Sequence, residues 1–384
     1  MYNLLAYIKH LRGQNEAALE CLQQAEESFQ KEYSDQADVR NLVTWGNYAW
    51  VNYHLGKLEE AQAYADKVKR VCEKFSNPFS LECPELDTEE GWARLKCGNS
   101  QFERAIVCFE KALERHPDDP EFASGLAIAR HRASDCPAPV NVLDLLTEAV
   151  ELNPNNRYLK LLLALTLQKK NKAEGENLVE EFLEEGPHES GMLQLAATFY
   201  QYRGKLDKAI KLFERASEML PNSTRLHNII GTCYKNKVFQ RVKRNNKMCQ
   251  ESKRSLKDEV KQGIYHYKKA DNNRNLSHVN ICIAMLHAIA DEYDEAEHYF
   301  QREFSKNLTP LQKQHLHLRY GNFQSFQMKC EEKAIHHYME GVKINRESKE
   351  KEKMKSKLHK IALYRCKESR MDSQTLELLE FLQL

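Results

Sequence analysis

Thr198 to Pro221 reads TFYQYRGKLDKAIKLFERASEMLP, and the placing of its small and aromatic residues describes two antiparallel helices. Ala209 and Ala216 are small enough to let the helices approach closely. Tyr200 and Phe213 fill the gap between neighbouring helix pairs. Gly204 closes the tight turn, and Pro221 ends the second helix because it has no N–H to continue the hydrogen-bond ladder.

The same set recurs along the chain. Ala6, Gly13, Ala18, Leu22 and Ala25 form one copy, and Trp45, Ala49, Gly56 and Ala61 another. Trp92, Ala93, Ala105, Phe109, Ala112 and Pro117 form a third. Leu146, Ala149 and Pro154 belong to a second helix whose partner begins near Phe122. A weaker copy spans Tyr158 to Pro187. Gly231, Tyr234, Tyr267 and Ala270 form a copy split by a long insertion. Ala284, Ala296 and Phe300, then Ala334 and Tyr338, complete the series. These are the signature positions of the tetratricopeptide (TPR) repeat, whose period is about 34 residues. Ala18 to Ala61 is 43 residues, Ala61 to Ala105 is 44 and Ala296 to Ala334 is 38. The excess implies longer helices or loops in a divergent array. The expected fold is all-α, a superhelical solenoid of about nine TPR helix pairs, with one continuous core. Within it we expect an acidic array over 1–156, central pairs over 157–235, a basic insertion over 236–258 and a basic array over 259–384.

Composition agrees with long helices: 384 residues contain only 14 Gly and 10 Pro, with 29% charged and 41% hydrophobic residues. The run Leu161–Leu165 is far too short to span a bilayer, and no charged-then-apolar leader opens the chain, so no membrane partner and a cytoplasmic location are expected. Eleven cysteines stand singly with no CxxC pair, several of them inside helix patterns (Cys21, Cys108, Cys282). Reduced, buried thiols are the expectation. The net charge of +1 hides an asymmetry. Residues 1–200 carry 21 Lys/Arg against 33 Asp/Glu, and residues 201–384 carry 36 against 23. An acidic half joined to a basic half suggests that the basic half meets a polyanion, against the alternative of undirected charge on solvated faces.

The first helix of each TPR pair lines the inner wall, with its positions 2, 5, 9, 12 and 13 pointing inward. Counting from the repeat anchors places Arg157 and Lys160 there in the fifth pair, Thr198 and Tyr202 in the sixth, Arg225 and Lys235 in the seventh and Arg319 in the ninth. Lys349, Lys353 and Lys357, four residues apart, form one helical stripe. Arg130 and Arg132 close the helix that starts near Phe122. Cations interleaved with rings such as Tyr202 and Phe323 fit a single-stranded nucleic acid, the cations tracking phosphates and the rings stacking on bases. An acidic peptide would suit the same row. Between Lys235 and Lys257 lie nine Lys/Arg and one acid, Glu251, as an extra helix over the groove or a loop; its KRNNK core is a weak localisation signal. No catalytic constellation occurs: HExxH, GxSxG, GxxxxGK[ST] and HxE…PCxxC are all absent. His315 and His317, like His336 and His337, have the wrong spacing for one helix face, so neither a metal nor a cofactor is expected. Glu82, Glu85, Asp87, Glu89 and Glu90 read as a solvated linker and helix start.

Four strings carry a family likeness: LVTWGNYAWVNYHLGKLEEAQAYADKV, EEGWARLKCGNSQFERAIVCFEKALE, LHLRYGNFQSFQMKCEEKAIHHYMEGVKIN and KEKEKMK. They resemble the interferon-induced proteins with tetratricopeptide repeats. The resemblance implies a cytosolic antiviral effector that binds single-stranded viral RNA in a basic inner channel and associates with paralogous TPR proteins. The last two strings look most like a branch of the family associated with AU-rich RNA. By the same resemblance Arg132 matches the arginine that meets the RNA 5′ end, and Trp92 and Leu95 match a cap-stacking wall. Lys235 and Lys353 keep family cations. Thr198 replaces the basic residue of AA[KR]FY, and Tyr202 replaces a cation two residues after that FY. The opening MYNLLAYIKHLRG matches an internal stretch of relatives, whose C-H-F-T-W string and acidic tail are not in this chain, so recognition of a cap or 5′ triphosphate is not expected. Two rivals stand beside RNA binding. One is a protein scaffold that joins paralogs without RNA, favoured by Thr198. The other is a chaperone adaptor, discounted because Gly46 and Trp50 occupy its clamp positions.

Overall fold

The computed structural model describes all of the chain except residues 75–83, 134–140, 169–171, 187, 245–249, 272–277, 369–371 and 383–384. Among the described residues every regular element is helical. Two compact units divide at Gly186. The first carries 21 Lys/Arg against 32 Asp/Glu and the second 36 against 24, so their net charges are −11 and +12.

In the first unit, α1 (Tyr2–Leu11) pairs with α2 (Asn15–Glu32). After the single turn α3 (Ala37–Arg40) come the pairs α4 (Leu42–His54) with α5 (Leu58–Cys72) and α6 (Pro84–Lys96) with α7 (Phe102–Arg115). Then follow α8 (Pro120–Arg132) with α9 (Val142–Leu152) and α10 (Arg157–Leu167) with α11 (Lys172–Glu184). The second unit pairs α12 (Ser190–Tyr202) with α13 (Leu206–Met219) and α14 (Thr224–Arg244) with α15 (Gln250–Ala270). It continues with α16 (Val279–Ile289) and α17 (Tyr293–Phe304), α18 (Pro310–Phe326) and α19 (Glu331–Lys343), and α20 (Lys349–Lys367) and α21 (Ser373–Leu382). First helices pack beside first helices, α14 on α16, α16 on α18 and α18 on α20, so each unit presents one face made of first helices alone.

Small residues sit where the pairing requires them. Ala105 and Ala209 have no exposed surface. The turn glycines Gly13, Gly56 and Gly204 hold φ of +73°, +76° and +69°, a region open to Gly at little cost. Aromatics from second helices press against glycines of first helices, and Phe109 does so against two of them. The Phe109 ring fills the space that a Cβ on Gly91 or Gly125 would occupy, and Tyr267 and Tyr338 do the same beside Gly231 and Gly321. Some helix starts are capped locally: Asp119 accepts from the Glu121 and Phe122 N–H groups at 2.8 and 3.1 Å, with Pro120 in the first turn.

Two expectations are corrected. Ten helix pairs occur among the described residues rather than about nine, because the lysine stripe at 349–357 opens a further pair, α20 with α21. The basic insertion lengthens one pair instead of crossing a groove: α14 and α15 each run 21 residues, and Val238, Leu256 and Val260 bury into one cluster with Tyr267 and Ile283. Residues 245–247 of the KRNNK core, and Glu82, lie outside the described residues. Among the described residues no helix is long and apolar enough to cross a membrane. Cys21, Cys108, Cys233 and Cys282 are buried free thiols.

Candidate nucleic-acid interface

Five of the predicted site residues lie on first helices of the second unit. Tyr202 ends α12 with 74% of its surface exposed. Arg225 stands exposed in the first turn of α14, and Lys353 is exposed in the first turns of α20. Lys235, midway along α14, is half-buried, and its Nζ lies 3.5 Å from Cys282 Sγ on α16. Arg319 of α18 is half-buried, and its Nε donates to His315 Nε2 at 3.2 Å. Among the described residues none of these four cations has a carboxylate partner. Such charges, held on neighbouring helices and not neutralised within the protein, suit a row of phosphates.

Other cations on the chain are already occupied. Lys160 of α10 is bound to Glu181 of α11 at 2.6 Å. Arg157 lies 3.4 Å from Glu185 and stacks 4.8 Å from the Phe182 ring. In the lengthened pair, Lys237 sits between Asp207 and Glu259, and Arg241 bonds Glu259 at 2.8 Å. Those cations hold α14 to α13 and α15. Of the lysine stripe, Lys357 turns over the Phe326 and Tyr338 rings at 4.9 and 5.6 Å, and burial lowers its pKa.

The residues matched to the 5′-end pocket fall in the first unit. Arg132 is half-buried, donating to the Leu95 carbonyl at 3.4 Å and to the Tyr158 hydroxyl at 3.1 Å. Leu95 is 3% exposed and belongs to the core rather than to an open wall. Trp92 meets Phe109 edge-on at 5.1 Å. It borders a cavity of about 640 Å³ whose charged lining is Glu32, Asp119 and Glu121 against Arg40 alone. Arg40 is itself held by Glu121 at 3.1 Å and by the Tyr33 ring at 3.9 Å. That balance repels a phosphate.

Sequence reasoning passed over the histidines except as metal ligands within one helix. His315 lies one turn before Arg319, a spacing that alone puts the two on one face. His317 and His337 meet across α18 and α19, Nδ1 to Nδ1 at 3.2 Å, and His227 and His266 meet across α14 and α15 at 3.0 Å. Among the described residues no group of three or more His, Cys, Asp or Glu is placed to hold a metal.

Comparison with known proteins follows the same lines. Tetratricopeptide-repeat family profiles match residues 1–78 and 91–137, and the Psidin N-terminal TPR repeats region matches 141–262. Human interferon-induced protein with tetratricopeptide repeats 2 is 58% identical over 390 residues, covering all of this chain and 82% of its own length. Human antiviral innate immune response effector IFIT1 is 41% identical, covering 99% and 82%. A solved structure of a monomeric IFIT1 mutant with Gppp-AAAA aligns at a TM-score of 0.73 with 40% identity over 99% of this chain and 85% of that one. The human IFIT1 dimer with m7Gppp-AAAA aligns at 0.69 with 39% identity over the same shares. The chain belongs to the family of interferon-induced proteins with tetratricopeptide repeats.

Proposed function

We propose that the chain is an interferon-induced antiviral effector of the cytoplasm that binds single-stranded RNA, AU-rich by preference, and so blocks expression or translation of viral RNA. The observation that carries this reading is the set Arg225, Lys235, Arg319 and Lys353 on first helices of the second unit, without carboxylate partners among the described residues. Tyr202 adds an exposed ring at the end of α12 in the same unit. The RNA in solved structures of the related IFIT1 supports the ligand class. Phosphate contacts supply affinity and the ring supplies stacking, so binding tolerates many sequences and falls with salt. Anisotropy titrations of AU-rich and GC-rich single strands at two salt concentrations test it. Tight, salt-sensitive binding with preference for the AU-rich strand is expected; absence of binding at low salt defeats it.

A second reading, assembly with paralogous TPR proteins, draws support from Trp50 and Tyr53, exposed by 54% and 60% at the end of α4, and from Leu11, exposed by 66% on α1. Sedimentation of the chain alone and mixed with a paralog, without RNA, distinguishes it: a complex in which Trp50→Ala has no effect removes that patch from the assembly.

A further inference from the structure

His315 and Arg319 share a hydrogen bond that limits where protons can sit. Arg319 Nε donates to His315 Nε2, and a ring nitrogen that accepts carries no proton, so this imidazole is neutral with its proton on Nδ1. His278, the residue before α16, lies across the same face with Nε2 3.1 Å from Asn228 Oδ1. Both rings border a cavity of about 230 Å³ with Ile281, Leu311, Gln312 and Glu350. Charged groups from every surrounding helix act on them. Burial first, then Arg319, holds the His315 pKa below its ordinary value; Lys235 and His278 push the same way and Glu350 opposes them. For His278, partial burial leads and Lys235 follows, while Glu303 of α17 opposes.

We propose that His278 and His315, together with Lys235 and Arg319, form a phosphodiester-binding site that takes up protons as it fills; the proposal rests on the RNA-binding reading above. With no anion present, His315 gains a proton only by breaking its bond from Arg319 and setting imidazolium against guanidinium. A phosphodiester oxygen between them accepts from both. Arg319 Nε–H turns to the phosphate, His315 Nε2 takes up a proton from the buffer acid and keeps it while hydrogen-bonding to the same group, and no bond to phosphorus forms or breaks. The arriving negative charge also offsets Lys235, which otherwise disfavours a charged His278. Both rings have lower pKa values without ligand than with it. The added affinity is therefore fully present at low pH and is lost as pH rises through the ligand-bound pKa values.

Calorimetric titration of the full chain with one single-stranded oligoribonucleotide tests this, at fixed salt between about pH 6 and pH 8 and in buffers of different ionisation enthalpy. About tenfold tighter binding at the lower pH, with net proton uptake in the heats, is expected. In the H278Q/H315Q protein the affinity no longer varies with pH and the uptake disappears. Histidine-ring NMR of the unmodified chain guards against a folding defect in that variant: the His315 pKa rises when RNA is added. Tight binding without pH dependence, uptake that survives H278Q/H315Q, or an unmoved His315 pKa overturns the proposal while leaving the RNA reading intact. Absence of RNA binding at every pH overturns the RNA reading itself.

Discussion

Arg365 is 1% exposed, the largest side chain so deeply buried among the described residues. Its guanidinium reaches Glu331 through Nε at 2.8 Å and Nη2 at 2.6 Å, Gln374 through Nη2 at 3.1 Å and Thr375 through Nη1 at 3.3 Å. Asp372 lies 3.5 Å away. One planar fork thus ties α19, α20 and the start of α21. A lysine carries the same charge but offers one compact ammonium in place of five fixed donors. We expect Arg365→Lys to cost about 1–3 kcal/mol, since the buried ammonium cannot replace all of the fork's bonds to Glu331, Gln374 and Thr375. Urea unfolding measures it, and an unchanged midpoint contradicts this account. None of this was legible in the sequence. The partners lie 34, 7 and 9 to 10 residues away, and no local pattern relates Arg365 to Glu331. The same blindness hid His317 facing His337, since spacing within one helix says nothing about a ring arriving from the next. The alanines and glycines were legible because each is required by its own turn or its own helix pair.

At the scale of the helix pair, an aromatic of the second helix against a glycine of the first is the repeating contact, and Phe109 meets glycines of two first helices. A Cβ on Gly125 would lie 2.2 Å from Phe109 Cε1, so Gly125→Ala should destabilise by about 1–3 kcal/mol through overpacking. Trimming the ring in Phe109→Leu makes room, and the double variant should recover part of the loss. Thermal melts of both singles and the double decide it; strictly additive losses would place the clash elsewhere. The paired histidines give the elements of the second unit a pH dependence. His266 is pushed down to about 4 by burial first and by His227 and Lys269 after it. His337 is pushed down to about 4 by burial first, then by His317 and His336. An unfolded histidine titrates near 6.5. Above that value neither state binds the proton and stability is unaffected. Below it the unfolded chain takes up protons that the folded chain refuses, so stability falls between about pH 6.5 and pH 4 and levels off beneath. For His266 the loss is roughly 2–3 kcal/mol at the acid end. His266→Gln should flatten that part of the curve, measured by urea midpoints across the range. A slope equal to that of the unmodified chain would mean that the folded chain does not keep His266 neutral.

On the RNA-binding reading proposed above, the division of charge between the two units decides where a polyanion is held. The first unit, at −11, disfavours it, and its cations Arg157 and Lys160 already face carboxylates. The second, at +12, offers Arg225, Lys235, Arg319 and Lys353. If each neutralises one phosphate of a single strand, log affinity falls against log salt with a slope of roughly −3. Reversing one of them, as in Arg319→Glu or Lys353→Glu, should weaken binding of any single strand and reduce the slope by about 0.7. Arg132 behaves differently because two of its N–H groups are held by the Leu95 carbonyl and the Tyr158 hydroxyl, within the acidic unit. Arg132→Glu should therefore be the mildest of the charge reversals and should leave the salt slope unchanged. It should also be indifferent to whether the strand carries a 5′ triphosphate or a 5′ hydroxyl. Salt titrations of each variant against both strands separate the cases. Loss of binding in Arg132→Glu for the triphosphate strand alone would mean that Arg132 leaves its partners to meet the RNA end, and that the acidic unit holds a 5′ pocket after all.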